Sequence, residues 1–160
     1  MLSEDQVTRV WENMLSAEAR SLYFGNLGSR DTRYKQWITG SSFFFSSGAA
    51  AAIIGKAPQW VPILLAVLSA GVTAYAIAVN LDKRVGTMAT LHSSWSQIAA
   101  EYYHLWNHTS DEDAEDQLAR IIAREKEPSE LAITSAPYNK KLLGHWEDQV
   151  LRMYHLEPAT

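Results

Sequence analysis

The chain has 160 residues, enough for one compact domain or one small multi-helix unit. It carries no cysteine, which excludes disulfide scaffolds, thiolate zinc sites, iron–sulfur clusters and cysteine nucleophiles. A net charge of −4 argues against nucleic acid as the primary ligand, and 8 Gly with 5 Pro do not make a low-complexity chain.

A mean hydropathy of −0.18 resembles that of an ordinary soluble protein. The average conceals a segregation: of 14 Lys and Arg and 18 Asp and Glu, only Lys56 falls between Gln36 and Leu81. The pattern predicts an all-α membrane protein in three segments. These are an N-terminal cytoplasmic helical segment (1–35), a two-helix transmembrane hairpin (36–81, spans 37–55 and 60–80) and a cytoplasmic helical bundle (82–160).

In the first segment, Ser3-Glu4-Asp5-Gln6 has the spacing of a capping box that starts a helix. Val7, Val10, Trp11 and Met14 mark one face of that helix, continued by Leu22 and Leu27. Gly25 and Gly28 are positions at which it would break or kink before the basic stretch Arg30–Lys35. Met1–Lys35 is polar and charged throughout and shows no signal-peptide pattern.

Gln36–Gly55 and Ala57–Leu81 are uncharged stretches of 20 and 25 residues. About 20 helical residues at 1.5 Å each match a hydrocarbon core of roughly 30 Å. Gly55-Lys56-Ala57-Pro58-Gln59 is a tight break, so the two spans are antiparallel neighbours. Ten aliphatic residues between Val61 and Leu81 favour insertion of the second span by about 3 to 6 kcal/mol. The first span, diluted by Thr39 and four serines, inserts marginally alone and better beside its partner.

The flanks give the orientation. Arg30, Arg33 and Lys35 precede the first span, with Tyr34 and Trp37 at its border; Trp60 opens the second, and Lys83 and Arg84 follow it. Positive charge stays inside and indole rings settle at interfaces, so both termini are expected in the cytoplasm with the short turn outside.

Small residues recur every four positions. Ala66, Ala70, Ala74 and Ala78 form a ridge in the second span beside Ser69 and Thr73. The first has Gly40, Gly48 and Ala52 on one ridge, interrupted by Phe44, and Ser42, Ser46 and Ala50 on another. Such ridges let backbones approach where lipid supplies no hydrophobic drive. Two readings follow: Ser41, Ser42, Ser46 and Ser47 line a path between several hairpins, constricted at Phe43–Phe45, or these positions only pack helices.

Beyond the second span, Met88, Leu91, Trp95, Ile98, Tyr102 and Leu105 alternate steps of three and four. This heptad seam predicts a long helix that continues straight out of the membrane. Its partner is either the N-terminal helix of the same chain, the more economical choice, or the same helix of a neighbouring subunit. Ser110 is then expected to cap a helix with Asp111–Asp116 at its N-terminal end, buried through Leu118, Ile121 and Ile122, and ended by Pro128. Ser129–Tyr138 reads as a loop, and Asn139–Leu156 as a last helix burying Leu142, Leu143, Trp146, Val150 and Met153. Nothing reads as a strand.

Chemistry is sparse. Glu101, His104 and His108 share a helical face, but interface or surface histidines are the better reading than metal ligands. No phosphate-loop, dinucleotide or nucleophile-elbow motif is present, so neither a catalytic site nor a cofactor or metal is expected.

The layout as a whole resembles the SLATT domain: a soluble helix, the approach Arg30-Asp31-Thr32-Arg33-Tyr34-Lys35-Gln36-Trp37, a tight two-span hairpin, then a long helix and further helices. The resemblance covers roughly Val7–His108 and rests on arrangement, with no active-site residues to carry over. It implies a bacterial two-transmembrane effector of antiphage defence, acting beside a nucleotide-sensing or nucleotide-making partner. Such a homo-oligomer would form or gate a pore and breach the inner membrane. The alternative of a different class is a non-catalytic anchor that recruits soluble partners through its cytoplasmic helices.

Overall fold

A computed structural model describes residues 1–56 and 58–155; Ala57 of the predicted turn and Leu156 of the predicted last helix lie outside the described residues. Among these residues there are five α-helices and no strand: α1 (Glu4–Ile54), α2 (Trp60–Ala78), α3 (Leu81–Asn107), α4 (Ala114–Ser135) and α5 (Lys140–Met153). Packing divides the chain into two compact units, Met1–Leu27 with Gly86–Thr160, and Gly28–Val85.

The discontinuous unit is a helical bundle. Its first helix begins with the reciprocal bonds of a capping box: the Ser3 amide donates to Gln6 Oε1 (2.8 Å) and the Gln6 amide to Ser3 Oγ (3.3 Å). Val10, Met14, Ala17, Phe24 and Leu27 of α1 join Met88, Leu91, Trp95, Ile98, Tyr102 and Leu105 of α3 in one core. The α3 seam is therefore covered within the chain; each of its six side chains is at most 2% exposed. The cross-contacts run in opposite sequence directions, from Leu2 N–H to the Thr109 carbonyl, through Asn13 to the Tyr102 hydroxyl, to Ser21 beside His92 and Ser96. The two segments are thus antiparallel.

Gly25 does not break α1, nor does Gly28. A Cβ at Gly25 would stand 3.1 Å from the ring of His92, so the missing side chain answers a close helix approach rather than a helix end. The helix penalty of glycine, about 1 kcal/mol, is small beside the burial of Tyr23, Phe24 and Leu27 around it.

Three further boundaries differ from the sequence reading. Ser110 does not cap α4; Asp113 stands at its N-terminus, with its carboxylate taken up by Gln117 Nε2 (2.9 Å) instead of a backbone amide. Pro128 lies inside α4, and residues 129–135 are helical rather than a loop. A proline there removes one helix hydrogen bond, but Pro128 itself is buried and Leu131 and Ala132 on the next turn pack against the core, which holds the helix together past it. Finally, α5 stops at Met153, which is 55% exposed rather than buried. Ile122 of the expected α4 stripe is exposed too.

Polar contacts fasten α4 and α5. Arg124 reaches Glu101 and Gln97 on α3. The Tyr23 hydroxyl donates to the Pro137 carbonyl (2.6 Å) and accepts from the Asn139 amide (3.0 Å), and Asn139 in turn caps α5 by accepting from Leu142 N–H. At the far end of α5, the Tyr154 ring meets Trp11 edge-on and its hydroxyl donates to Glu18 Oε2 (2.9 Å).

Burial, then the bond to Glu18 and the negative charge of that group, push the Tyr154 phenol up to about 12 from 10.0. The folded state therefore holds this proton after the unfolded chain has released it, so the contribution is complete below pH 10 and lost as pH rises toward 12. Below pH 10 the wild type should be more stable than Tyr154→Phe, and the gap should shrink as pH rises from 10 toward 12. Urea titration followed by circular dichroism at 222 nm across that range measures it, and a gap that does not change with pH would show that this proton does not contribute.

Candidate membrane-embedded site

The second unit, Gly28–Val85, contains the remainder of α1, all of α2 and the first residues of α3. By length and composition, α1 and α2 each hold a segment able to cross a membrane, and none of either apolar segment is buried within the chain. Trp37, Phe43, Ile54, Ile63, Val67 and Ile77 are all more than 60% exposed. Water would tolerate such a surface poorly; hydrocarbon accepts it, because an α-helix pairs the backbone groups of its interior within itself.

The first span is not a helix of its own but the last part of the 51-residue α1. The second is 60–78 rather than 60–80, and it does not continue straight into the long helix. The backbone turns at Val79-Asn80, where Asn80 adopts φ 52°. Asn80 N–H bonds back to the Ile77 carbonyl (3.1 Å), and its own carbonyl receives Arg84 N–H as α3 begins. Asparagine tolerates the left-handed region better than other non-glycine residues, so the break has a local cause that hydrophobic periodicity does not register. Between the spans the left-handed residue is Lys56 (φ 53°), not Gly55.

Of the four serines in the first span, only Ser42 reaches across to α2. Thr73 Oγ1 donates to its own helix at the Ser69 carbonyl (2.9 Å), and Ser69 Oγ donates to the Ser42 carbonyl (3.3 Å). The remaining proton, on Ser42 Oγ, goes to Thr73 Oγ1 at 2.9 Å, closing a three-residue ring. Ser41, Ser46 and Ser47 donate instead to carbonyls three or four residues back: Trp37, Ser42 with Phe43, and Phe44. Near the turn, Gly48 comes close to α2, a Cβ there lying 3.5 Å from Leu65. The alanine ridge Ala66, Ala70, Ala74 and Ala78 is exposed, as are Phe44 and Ala50. Ser42→Ala is expected to weaken the α1–α2 contact by about 0.5–1.5 kcal/mol, against a few tenths for Ser47→Ala. Urea titration in micelles compares the two; equal effects would refute the ring.

Charges mark the end away from the turn. Asp31, 6% exposed, accepts from Arg84 at 3.0 Å, and the exposed Lys35 pairs with Asp82. The Tyr34 and Tyr75 hydroxyls lie 3.4 Å apart. Arg30 and Arg33 are exposed, and neither has a hydrogen bond or ion pair among the described residues. Trp37 and Trp60 are 78% and 64% exposed, at the start of the uncharged part of α1 and at the start of α2. Sequence reasoning missed the acid partners Asp31 and Asp82, for which the only cue was two carboxylates inside basic stretches.

In the bundle unit, the Glu101–His104–His108 face has other engagements. Glu101 meets Arg124, and the two imidazoles stack on one another 4.3 Å apart. Among the described residues no group of three or more His, Asp or Glu is placed to hold a metal. The sequence also gave no cue to the cluster at Ser21, whose Oγ lies 2.6 Å from Ser96 Oγ and 3.0 Å from His92 Nδ1. His92 Nδ1 is also 2.9 Å from the Ser21 carbonyl, which can only accept, so this nitrogen carries the proton and is no base toward the hydroxyl. The cluster locks α1 to α3. Comparison with protein families, curated proteins and solved structures finds no match to this chain.

Proposed function

We propose that this protein is a two-span integral membrane protein of the bacterial inner membrane whose copies assemble in the bilayer and, when triggered, form or gate a pore. The spans cross as an antiparallel hairpin. Both termini, and with them the helical bundle, lie in the cytoplasm, where Arg30, Arg33, Lys83 and Arg84 concentrate. The resemblance to SLATT effectors adds antiphage defence as the setting and a nucleotide-sensing or nucleotide-making partner as the trigger.

One observation carries the assembly reading: within a single chain the small-residue ridge Ala66–Ala70–Ala74–Ala78 is exposed, beside a Ser42–Ser69–Thr73 ring that already serves the contact between α1 and α2. A hairpin needs one close-packing ridge, and a second that is free fits a neighbouring copy. For the anchor alternative, which would recruit partners through the seam Met88–Leu105 and the acidic stretch Asp111–Asp116, the seam is covered by the chain's own α1, which leaves it the acidic stretch.

Purified full-length protein reconstituted into dye-loaded vesicles, with cell extract as the source of trigger, should release dye. Ala70→Leu with Ala74→Leu should abolish release while the protein stays membrane-bound. Tight vesicles under every condition, or release unaffected by both substitutions, would overturn the pore reading. Extraction of the wild type by alkaline carbonate would overturn membrane insertion.

A further inference from the structure

We propose that the face of α1 running from Arg33 to Phe45 seats one anionic phospholipid of the cytoplasmic leaflet. This rests on the membrane reading above. A groove of 530 Å³ lies along this face, with Arg33 and Gln36 at one end, Gly40 midway and Phe44 and Phe45 at the other. It sits on a different side of α1 from the ring to α2: at 100° per residue, Gly40 and Ser42 point about 160° apart. The notch at its middle is real space, because a Cβ on Gly40 would find no atom within 4 Å, while Trp37 and Phe44 on either side are 78% and 69% exposed.

The dimensions and chemistry match a lipid. Twelve residues of helix rise about 18 Å, close to one leaflet of a roughly 30 Å core plus its carbonyl region. Polar and apolar parts are separated along that length in the order a phospholipid has them. At the polar end Arg33 brings a charge that no described residue neutralises, whereas nearby Lys35 and Arg84 are paired with Asp82 and Asp31. A guanidinium grips phosphate oxygens through two parallel N–H donors, the Gln36 amide adds a donor one turn below, and the Trp37 indole suits the headgroup level. Below it, Gly40 leaves room for an acyl chain against Phe44 and Phe45.

A second copy of this chain is the poorer occupant. Symmetric packing on Gly40 would set Arg33 against Arg33. The uncharged stretches from Gln36 to Leu81 contain no acidic residue to answer it, and Asp31 and Asp82 already have cations.

The test uses full-length protein reconstituted in bilayers of equal phosphatidylcholine and phosphatidylglycerol, then released in mild detergent for native mass spectrometry. Wild type should retain phosphatidylglycerol over phosphatidylcholine by about tenfold, as one charge-assisted contact allows. Arg33→Gln should reduce that ratio to near unity. Gly40→Leu should remove retention of both lipids, and Arg30→Gln, which takes the same charge from outside the groove, should leave the ratio unchanged. Equal retention of both lipids by wild type would overturn the proposal. So would an equal loss in Arg30→Gln and Arg33→Gln, which would mean diffuse surface charge. A Gly40→Leu protein that keeps its lipid but changes oligomer size would assign the groove to a second copy. Alkaline carbonate separates the two levels: a wild type that stays in the membrane yet shows no lipid preference sinks only the lipid seat.

Discussion

Trp95→Ala should lower the unfolding free energy of the protein by about 3–5 kcal/mol, the usual range for removing a large aromatic from a closed core. Trp95 is 1% exposed and stands at the middle of the α3 seam, between Leu91 and Ile98, which are 0% and 2% exposed. The guanidinium of Arg20 lies over its ring at 4.6 Å, adding a cation–π contact from α1. Truncation leaves a cavity that two rigid helices cannot close, because the neighbouring seam residues are already fixed by their own packing. Urea titration of the full chain in micelles, followed at 222 nm, measures the effect. Tyr103→Ala, on the same helix but 54% exposed, should change the midpoint little. Equal losses from Trp95→Ala and Tyr103→Ala would mean that α3 is not seated on α1 as described.

Arg84→Met should cost about 1–3 kcal/mol, the second largest effect expected of a single substitution. It leaves the carboxylate of Asp31, whose side chain is 9% exposed, with no cation. A fully buried pair would lose more; the Arg84 side chain is 38% exposed, so water reaches the site and softens the loss. Adding Asp31→Asn to Arg84→Met should recover more than half of it, because the orphaned charge is then gone. Lys35→Met, which breaks a pair exposed on both sides, should cost under about 1 kcal/mol. The double-mutant cycle gives the coupling directly. Additive losses would show that Asp31 and Arg84 do not depend on each other.

The same pairs bear on the proposed membrane orientation. Pairing Asp31 with Arg84 and Lys35 with Asp82 removes two cations from the basic flanks on which the orientation argument relies. What remains at the α1 border is Arg30 and Arg33, both exposed. Fewer unpaired cations are therefore left at this border than a count of Arg and Lys in the sequence gives. The difference lies in two acids that become partners only when α1 and α3 come together.

Several elements were legible one residue at a time. The Ser3–Gln6 capping box, the uncharged stretches on either side of Lys56 and the Met88–Leu105 seam depend on local spacing, and spacing of this kind survives folding because it is set by the 3.6-residue turn. The continuity of the helices was not legible. Sequence placed a break or kink near Gly25 and Gly28 and continuity after the second span; the structure has α1 unbroken through both glycines and a turn at Val79-Asn80. Glycine weakens a helix by only about 1 kcal/mol, which burial of Tyr23, Phe24 and Leu27 outweighs, whereas a left-handed asparagine interrupts the bond ladder outright. Pro128 repeats the lesson inside α4, where burial overrides a nominal helix breaker.

What the sequence determined by itself is the helical class, the two segments apolar enough for a membrane and the apolar seam, because each follows from composition and period along one chain. What only the tertiary structure decided is the use of each polar or small side chain. It covered the seam with α1 of the same chain. It committed Ser42 to Thr73 while turning Ser41, Ser46 and Ser47 back onto their own helix, and it gave acid partners to Lys35 and Arg84 but none to Arg33. The physical reason is range. Helix formation is governed by residues within four positions, but a hydroxyl or a charge is satisfied by whatever group folding brings within about 3 Å, here from as far as 136 positions away.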